Sequence, residues 1–182
     1  MAMFDRAIGL LFTLEGGYGE QAADPGGATN YGVSLRTALA MGDGDRDGRL
    51  DFDLDADGDV DAEDIRQLTP ERARAFYRTA FWAPLRCEAL PPPVGLAVFD
   101  SGVNCGTKQA ARFLQRALRV EADGWIGPVT LAAAQRADLD WVVEELLVNR
   151  MALYASLSTW GQFGRGWTRR VLRVHREALA LL

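Results

Sequence analysis

The stretch LEGGYGEQAADPGGATNYGVS, Leu14 to Ser34, gathers side chains suited to acid–base work. Glu15 ends an apolar helical pattern and directly precedes Gly16-Gly17. A helix C-terminus carries partial negative charge, so Lys or Arg would suit stability better there than a carboxylate. That term, about 0.3–1 kcal/mol, helps keep the acid protonated, and partial burial must supply the rest of any larger shift. A neutral carboxylic acid is what protonation of a leaving glycosidic oxygen requires. Asp24 follows and opens Asp-Pro-Gly-Gly, where proline fixes φ and the glycines permit a tight reversal. The reversal is expected to fold a hairpin back on the helix end, so that Asp24 or an oriented water faces Glu15. Thr29, Asn30 and Tyr31 offer a hydroxyl, an amide and a phenol to hold water and sugar. From spacing alone, an exposed Glu15 and an ordinary turn aspartate at 24 remain an open alternative.

A second constellation needs its own explanation. Asp53-x-Asp55-x-Asp57-Gly58-Asp59-Val60-Asp61-x-x-Asp64 follows the twelve-residue calcium loop position by position. Oxygen ligands fall at positions 1, 3 and 5, glycine turns the chain at 6, and a carbonyl serves at 7. Val60 is the apolar staple, and Asp61 can ligate through water. Position 12 is Asp64 and not Glu, which shortens the bidentate reach and weakens selectivity against magnesium. Asp43, Asp45, Asp47 and Asp51 begin the same pattern, but its last position would be Leu54, which cannot ligate. Calcium is the expected cofactor, structural or regulatory. None is required for the bond-breaking chemistry.

The net charge of −5 conceals this insert. Residues 43–64 hold ten Asp and one Glu against two Arg, and the rest of the chain carries 18 basic and 14 acidic groups. One acidic insert thus sits on a mildly basic body. No base-reading motif accompanies it, which argues against nucleic acid as a partner. With 182 residues and 48% hydrophobic content, the chain can bury a real core. Cys87 and Cys105 form neither a disulfide framework nor a metal knuckle and are expected as buried free thiols. The single histidine, His175, lies in an Arg-rich helix without a nucleophile turn, which disfavours a Ser-His-Asp or Cys-His engine. The N-terminus reads as an amphipathic helix and not as a signal peptide. Synthesis in a bacterial cytoplasm with release by a holin-type or other route is therefore expected.

The elements that must position these residues are mainly helical. Apolar spacing predicts a first helix from Met3 to Leu14 and a short one over Leu35–Met41. Thr69-Pro70-Glu71 starts a strong helix running through Trp82. Pro91-Pro92-Pro93 reads as a rigid connector and the best boundary. Helices are expected near 94–101, 107–119, 128–137, 139–158 and 166–181, with a small β element around Gly26–Val33.

The motifs EGGY, DPGGATNYGVS, YRTAFWAPLRC and VFDSGVNCG, in this order, resemble glycoside hydrolase family 108, lysozyme-like muramidases that include phage endolysins. The resemblance covers about Phe4 to Ala137. It implies a lysozyme-like fold with a small hairpin at the active site, to which the EF-hand-like loop is an addition. It also implies Glu15 as general acid, with Asp24 and Thr29 more loosely in the cleft. Tyr18, Asn30, Tyr31 and Asn104, within these motifs, are expected on the sugar-binding surface. Further on, ADGWIGPVT and its preceding Leu-Gln are similar to helical peptidoglycan-binding domains, and Trp125 offers a ring for sugar stacking or, equally, for the core.

The expectation is a catalytic lobe over 1–90, with the insert at 43–64, and a helical peptidoglycan-binding-like lobe over 91–182, packed as one monomeric unit. The enzyme would cleave the β-1,4 bond between N-acetylmuramic acid and N-acetylglucosamine in bacterial peptidoglycan. The alternatives are a lytic transglycosylase on the same bond or a non-catalytic, calcium-dependent wall-binding module. Arg165, Arg169, Arg170, Arg173 and Arg176 on the last helix read as a solvated basic face, with an anionic envelope surface as the alternative partner.

Overall fold

The structure is a computed structural model that describes residues 2–19, 27–44, 46 and 48–182. Asp24, Asp45 and Asp47 lie outside the described residues. The chain divides into two compact units, residues 1–7 with 78–182, and residues 8–77.

In the second of these units, α1 (Met3–Glu15) ends at Gly16, whose φ of +81° favours glycine. Next come β1 (Thr29–Asn30) and β2 (Val33–Ser34), paired antiparallel with Asn30 opposite Val33. The reversal between them is Tyr31-Gly32, with φ of 49° and 78°. Positive φ at both central residues is the condition of a type I′ hairpin turn. The reversal expected at Asp-Pro-Gly-Gly lies largely outside the described residues, so Tyr31-Gly32 is a turn not anticipated from the sequence, with Tyr31 expected there only on the sugar-binding surface. α2 (Leu35–Met41) has the expected bounds and is capped by the Ser34 hydroxyl, which accepts from Thr37 N at 3.2 Å. After the acidic loop come α3 (Ala62–Gln67) and α4 (Pro70–Tyr77). Thr69 Oγ1 accepts from Arg72 N at 3.3 Å, as a cap before proline should. Ile65, Leu68, Phe52 and Phe76 form the local core, with the two phenylalanine rings edge to face at 5.5 Å.

In the other unit, the helix predicted to run unbroken to Trp82 gives way to a π-turn over Arg78–Trp82. Trp82, Phe4 and Phe99 meet edge to face, at centroid separations of 5.2 to 6.2 Å. The proline run is not a connector. Pro91 caps α5 (Pro92–Cys105), because proline's fixed φ suits the first helical turn. α5 is buried from Pro93 to Gly102 and packs with α6 (Thr107–Ala117), α8 (Leu139–Ala155) and α9 (Trp160–Leu179). α7 (Pro128–Ala134) stands between α6 and α8 in sequence. α9 begins six residues before its predicted start despite Gly161, Gly164 and Gly166. Tertiary packing outweighs propensity there. Trp167 stacks on Tyr154 at 4.7 Å, and a β-carbon at Gly164 would lie 2.8 Å from the Trp160 ring. No helix among the described residues is long and apolar enough to cross a membrane.

Both cysteines are free. Cys87 is buried as expected, but Cys105 is only half-buried at the last position of α5, with its thiol 3.6 Å from the Tyr154 hydroxyl.

One buried charge cluster joins three of these helices. Asp100 on α5 accepts from Arg150 Nη1 on α8 and from Arg170 Nη2 on α9, both at 2.6 Å. Burial alone would raise the Asp100 carboxyl, but the two guanidinium charges and their hydrogen bonds outweigh it and hold the group below its ordinary value of 3.8. A depressed folded value means the contribution is fully present above the unfolded value and is lost as pH falls through the folded one. The variant Asp100→Asn leaves the buried Arg150 and the partly buried Arg170 without their counter-charge and is expected to cost about 3–5 kcal/mol. Urea denaturation at neutral pH measures this. The difference between wild type and variant should shrink as pH falls below about 4.

Candidate active site

The site is built around the end of α1. Glu15 is half-buried there, and the Tyr31-Gly32 reversal closes on its stem. A β-carbon at Gly32 would lie 2.6 Å from Glu15 Cγ and 2.6 Å from Tyr77 Oη. Real β-carbons do not approach that closely, so a larger residue would have to displace the Glu15 stem and the Tyr77 hydroxyl, and the φ of 78° independently favours glycine. Tyr77 on α4 donates its hydroxyl to the Tyr31 carbonyl at 3.0 Å. Phe12, one turn before Glu15 on α1, meets the Tyr31 ring at 5.1 Å and the Tyr77 ring at 6.4 Å. Tyr31, a non-glycine residue in the left-handed region, is thus held by a ring contact and a hydrogen bond.

The base of the hairpin is fixed as well. Thr29 exchanges two backbone hydrogen bonds with Gly19, both 2.8 Å, so the chain leaving α1 pairs with β1. The Thr29 hydroxyl, half-exposed, donates to the Gly27 carbonyl at 3.4 Å, a weak bond that a ligand can replace. Tyr18 is exposed, and its phenol oxygen accepts from Arg66 Nη2 of α3 at 3.1 Å, with the guanidinium carbon 5.1 Å from the ring centroid. The unit that carries Glu15 therefore also carries Thr29, Tyr31 and Tyr18.

Of the other expected sugar-binding residues, Asn30 is buried in the unit that carries Glu15, and Asn104 and Trp125 lie in the other unit. Asn30 is 6% exposed, and its amide donates to the carbonyls of Ile65 at 3.0 Å and Leu68 at 3.3 Å. It satisfies the C-terminal carbonyls of α3 and ties β1 to that helix, as a buried amide must find acceptors. Asn104 belongs to the other unit, on α5, where it is exposed and donates to the Asp100 carbonyl at 3.1 Å. Trp125 is also in that unit, and 60% exposed. Sequence reasoning missed Gly32, Tyr77 and Arg66. The Asn-Tyr-Gly triplet carried a turn signal that was available for the first. The other two have no local signal, because their partners stand 46 and 48 residues away.

The acidic loop places its carboxylates in two groups. Ligand oxygens of Asp53, Asp55 and Asp57 lie within 4.8 Å of one another, and so do those of Asp59, Asp61 and Asp64. Asp53 also accepts from the N–H groups of Asp57 and Gly58, both at 3.1 Å, which curls the loop around its first carboxylate. Partial loss of water and the Asp57 charge push the Asp55 carboxyl up, and the Asp57 charge does the same to Asp59. Asp64 is buried, and its two oxygens accept from Leu54 N at 2.6 Å and Asp61 N at 2.7 Å. It closes the loop and completes a capping box on α3 with Asp61. In the earlier half-loop, Asp43 accepts from Gly48 N at 3.0 Å and Asp51 from Gly44 N at 3.2 Å.

Comparison with known proteins gives the family. Residues 8–106 match the family model for glycosyl hydrolase 108, and residues 109–172 match that for a predicted peptidoglycan domain. Among solved structures, the chain is similar to Brucella abortus SagA, at 36% identity over 98% of this chain and 94% of that one, with a TM-score of 0.83. No curated protein matches.

The contact at Gly32 yields a graded expectation. Gly32→Ala is expected to destabilise the protein by about 1–2 kcal/mol from backbone strain alone, with the collision at Glu15 and Tyr77 added. Tyr77→Phe loses a single hydrogen bond, about 1 kcal/mol. Chemical denaturation of both variants checks the order; a Gly32→Ala variant as stable as wild type contradicts it.

Proposed function

The chain belongs to the glycosyl hydrolase 108 family, and from that premise we propose that it is a muramidase cleaving the β-1,4 bond between N-acetylmuramic acid and N-acetylglucosamine. Together with the peptidoglycan-domain match, membership makes it a peptidoglycan-degrading enzyme. The observation that carries the finer reading is the half-buried Glu15, its stem hemmed by Gly32 at the C-terminal end of α1.

Glu15 gives its proton to the glycosidic oxygen as the bond to the anomeric carbon breaks. The oxygen leaves as a sugar hydroxyl, and the positive charge spreads over the anomeric carbon and ring oxygen. Water then adds to that carbon. Its surplus proton passes to a carboxylate, restoring the acid directly or through solvent. Asp24 and the Thr29 hydroxyl are assigned to orienting that water or stabilising the charged state. Backbone hydrogen bonds with Gly19 hold Thr29 beside the chain leaving α1. Tyr18 and Tyr31 supply rings and a phenol to the sugar. Catalysis is assigned to the lobe at 1–90 and wall retention to the helices at 91–182.

The acidic loop is assigned a calcium ion. Its donors are hard oxygens in two close trios, the set such an ion prefers. Asp53, Asp55, Asp57, Asp59 and Asp61 would hold it, with Asp64 closing the loop. The ion's part is to neutralise a run of like charges beside α3, and no catalytic step passes through it.

Two experiments test these assignments. Glu15→Gln should abolish release of fragments from purified sacculi, by at least about 100-fold, while sacculus binding and melting temperature stay unchanged. Retained lysis removes the assignment, and a wall-binding module without catalysis would show no lysis in either form. For calcium, chelation should lower the melting temperature, and added calcium should restore it with measurable heat of binding. An unchanged melting temperature under both treatments rules the ion out.

A further inference from the structure

The turn Asp123–Pro128 between α6 and α7 holds an apolar ring outside the core. Gln115 on α6 is 1% exposed and fixes this turn with its whole amide. Its Nε2 donates to Asp123 Oδ1 at 2.6 Å and to the Trp125 carbonyl at 2.9 Å, and its Oε1 accepts from Gly124 N at 2.8 Å. Asp123 Oδ1 also accepts from Trp125 N at 2.8 Å. Ile126 is buried, whereas Trp125 beside it is 60% exposed. The indole is nonetheless held in place: a β-carbon at Gly127 would lie 2.2 Å from Trp125 Cζ3, so the benzo ring rests against bare backbone.

Trp125 lines two hollows. One, of about 140 Å³, is bordered by Gln115, Glu121, Asp123 and Thr130. The other, of about 240 Å³, is bordered by Thr107, Lys108 and Leu85. Both are smaller than the roughly 300–1,000 Å³ of sites that enclose a drug-sized molecule. Each suits a single ring or substituent. An exposed aromatic face with hydroxyl, carboxylate and ammonium groups around it matches a pyranose, which is apolar on its C–H face and polar at its edge. Lys108 adds a charge opposite to the lactyl or stem-peptide carboxylates of a murein strand.

We propose that Trp125 and the two hollows it lines form a saccharide subsite that grips the glycan strand of peptidoglycan, in the unit that does not carry Glu15. The ligand class rests on the reading of the chain as a peptidoglycan-cleaving enzyme. Trp125 stacks on one sugar, and Lys108 meets an anionic substituent of the strand. The Gln115–Asp123 bonds keep the ring rigid before binding, which lowers the ordering cost.

The test uses full-length Glu15→Gln protein, so that the wall survives the assay, and purified sacculi as the probe. Co-sedimentation is compared with that of Glu15→Gln carrying Trp125→Ala or Trp125→Tyr. Trp125→Ala should weaken sacculus binding on the order of tenfold or more, as expected for a truncated aromatic anchor. Trp125→Tyr, which keeps a ring, should retain most of it, and all three proteins should melt together. Should Trp125→Ala melt early, the Trp125→Tyr comparison and a Lys108→Ala variant, expected to bind more weakly with stronger salt dependence, decide the matter. Equal sedimentation of all variants overturns the subsite alone. Absence of sedimentation by the parent overturns it together with the peptidoglycan reading. Lysis by the Glu15→Gln parent strikes only the catalytic assignment, so the two claims fail separately.

Discussion

A backbone that passes between a carboxylate stem and a phenol sets the geometry of the Glu15 site. At Gly32 there is no room for a β-carbon, and the same residue needs a φ that only glycine adopts easily. Those two demands fix the hairpin turn on the end of α1. Once the turn is there, Tyr31 must accept a strained backbone, and Phe12 and Tyr77 hold it in place. Asn30 then faces inward and ties β1 to α3, and Thr29 pairs with Gly19. The acid at the helix end is thereby framed by elements that come together only in the folded chain.

The helical unit rests on a comparable constraint of a different kind. Asp100 joins α5, α8 and α9 by meeting two guanidinium groups, that of Arg150 fully buried and that of Arg170 12% exposed. The buried Arg150 cation is tolerated because its short contact with the carboxylate offsets lost solvation, while Arg170 keeps some contact with solvent. Gln115 plays the corresponding part for the turn at Trp125, through a neutral amide. In each case one buried polar side chain defines a local arrangement, and leaving its partners unsatisfied would cost more than the bonds themselves contribute.

Much of this was legible in the sequence. The bounds of α2, the cap and proline start of α4, and the turn that launches α7 follow from local chemistry, which has short range. The motifs pointed to the family that the comparisons then showed. What the sequence hid was of longer range. The turn at Tyr31-Gly32 rests on register and on the close approach to Glu15, which select glycine there and are set by residues distant in the chain. Asn30 looked like a sugar ligand because its acceptors, the carbonyls ending α3, are 35 and 38 residues away. The π-turn after Tyr77 and the early start of α9 were set by ring packing, which periodicity does not encode.

A Glu15-centred hydrolase and a transglycosylase both begin by protonating the same oxygen, and they differ in what captures the anomeric carbon. Hydrolysis uses solvent, whereas the rival closes the sugar on its own hydroxyl and leaves an anhydro end. Digesting sacculi in water enriched in heavy oxygen and weighing the released muropeptides separates them directly. The account predicts one heavy oxygen at the reducing end of each cleaved strand. Unlabelled anhydro ends as the main product would contradict it.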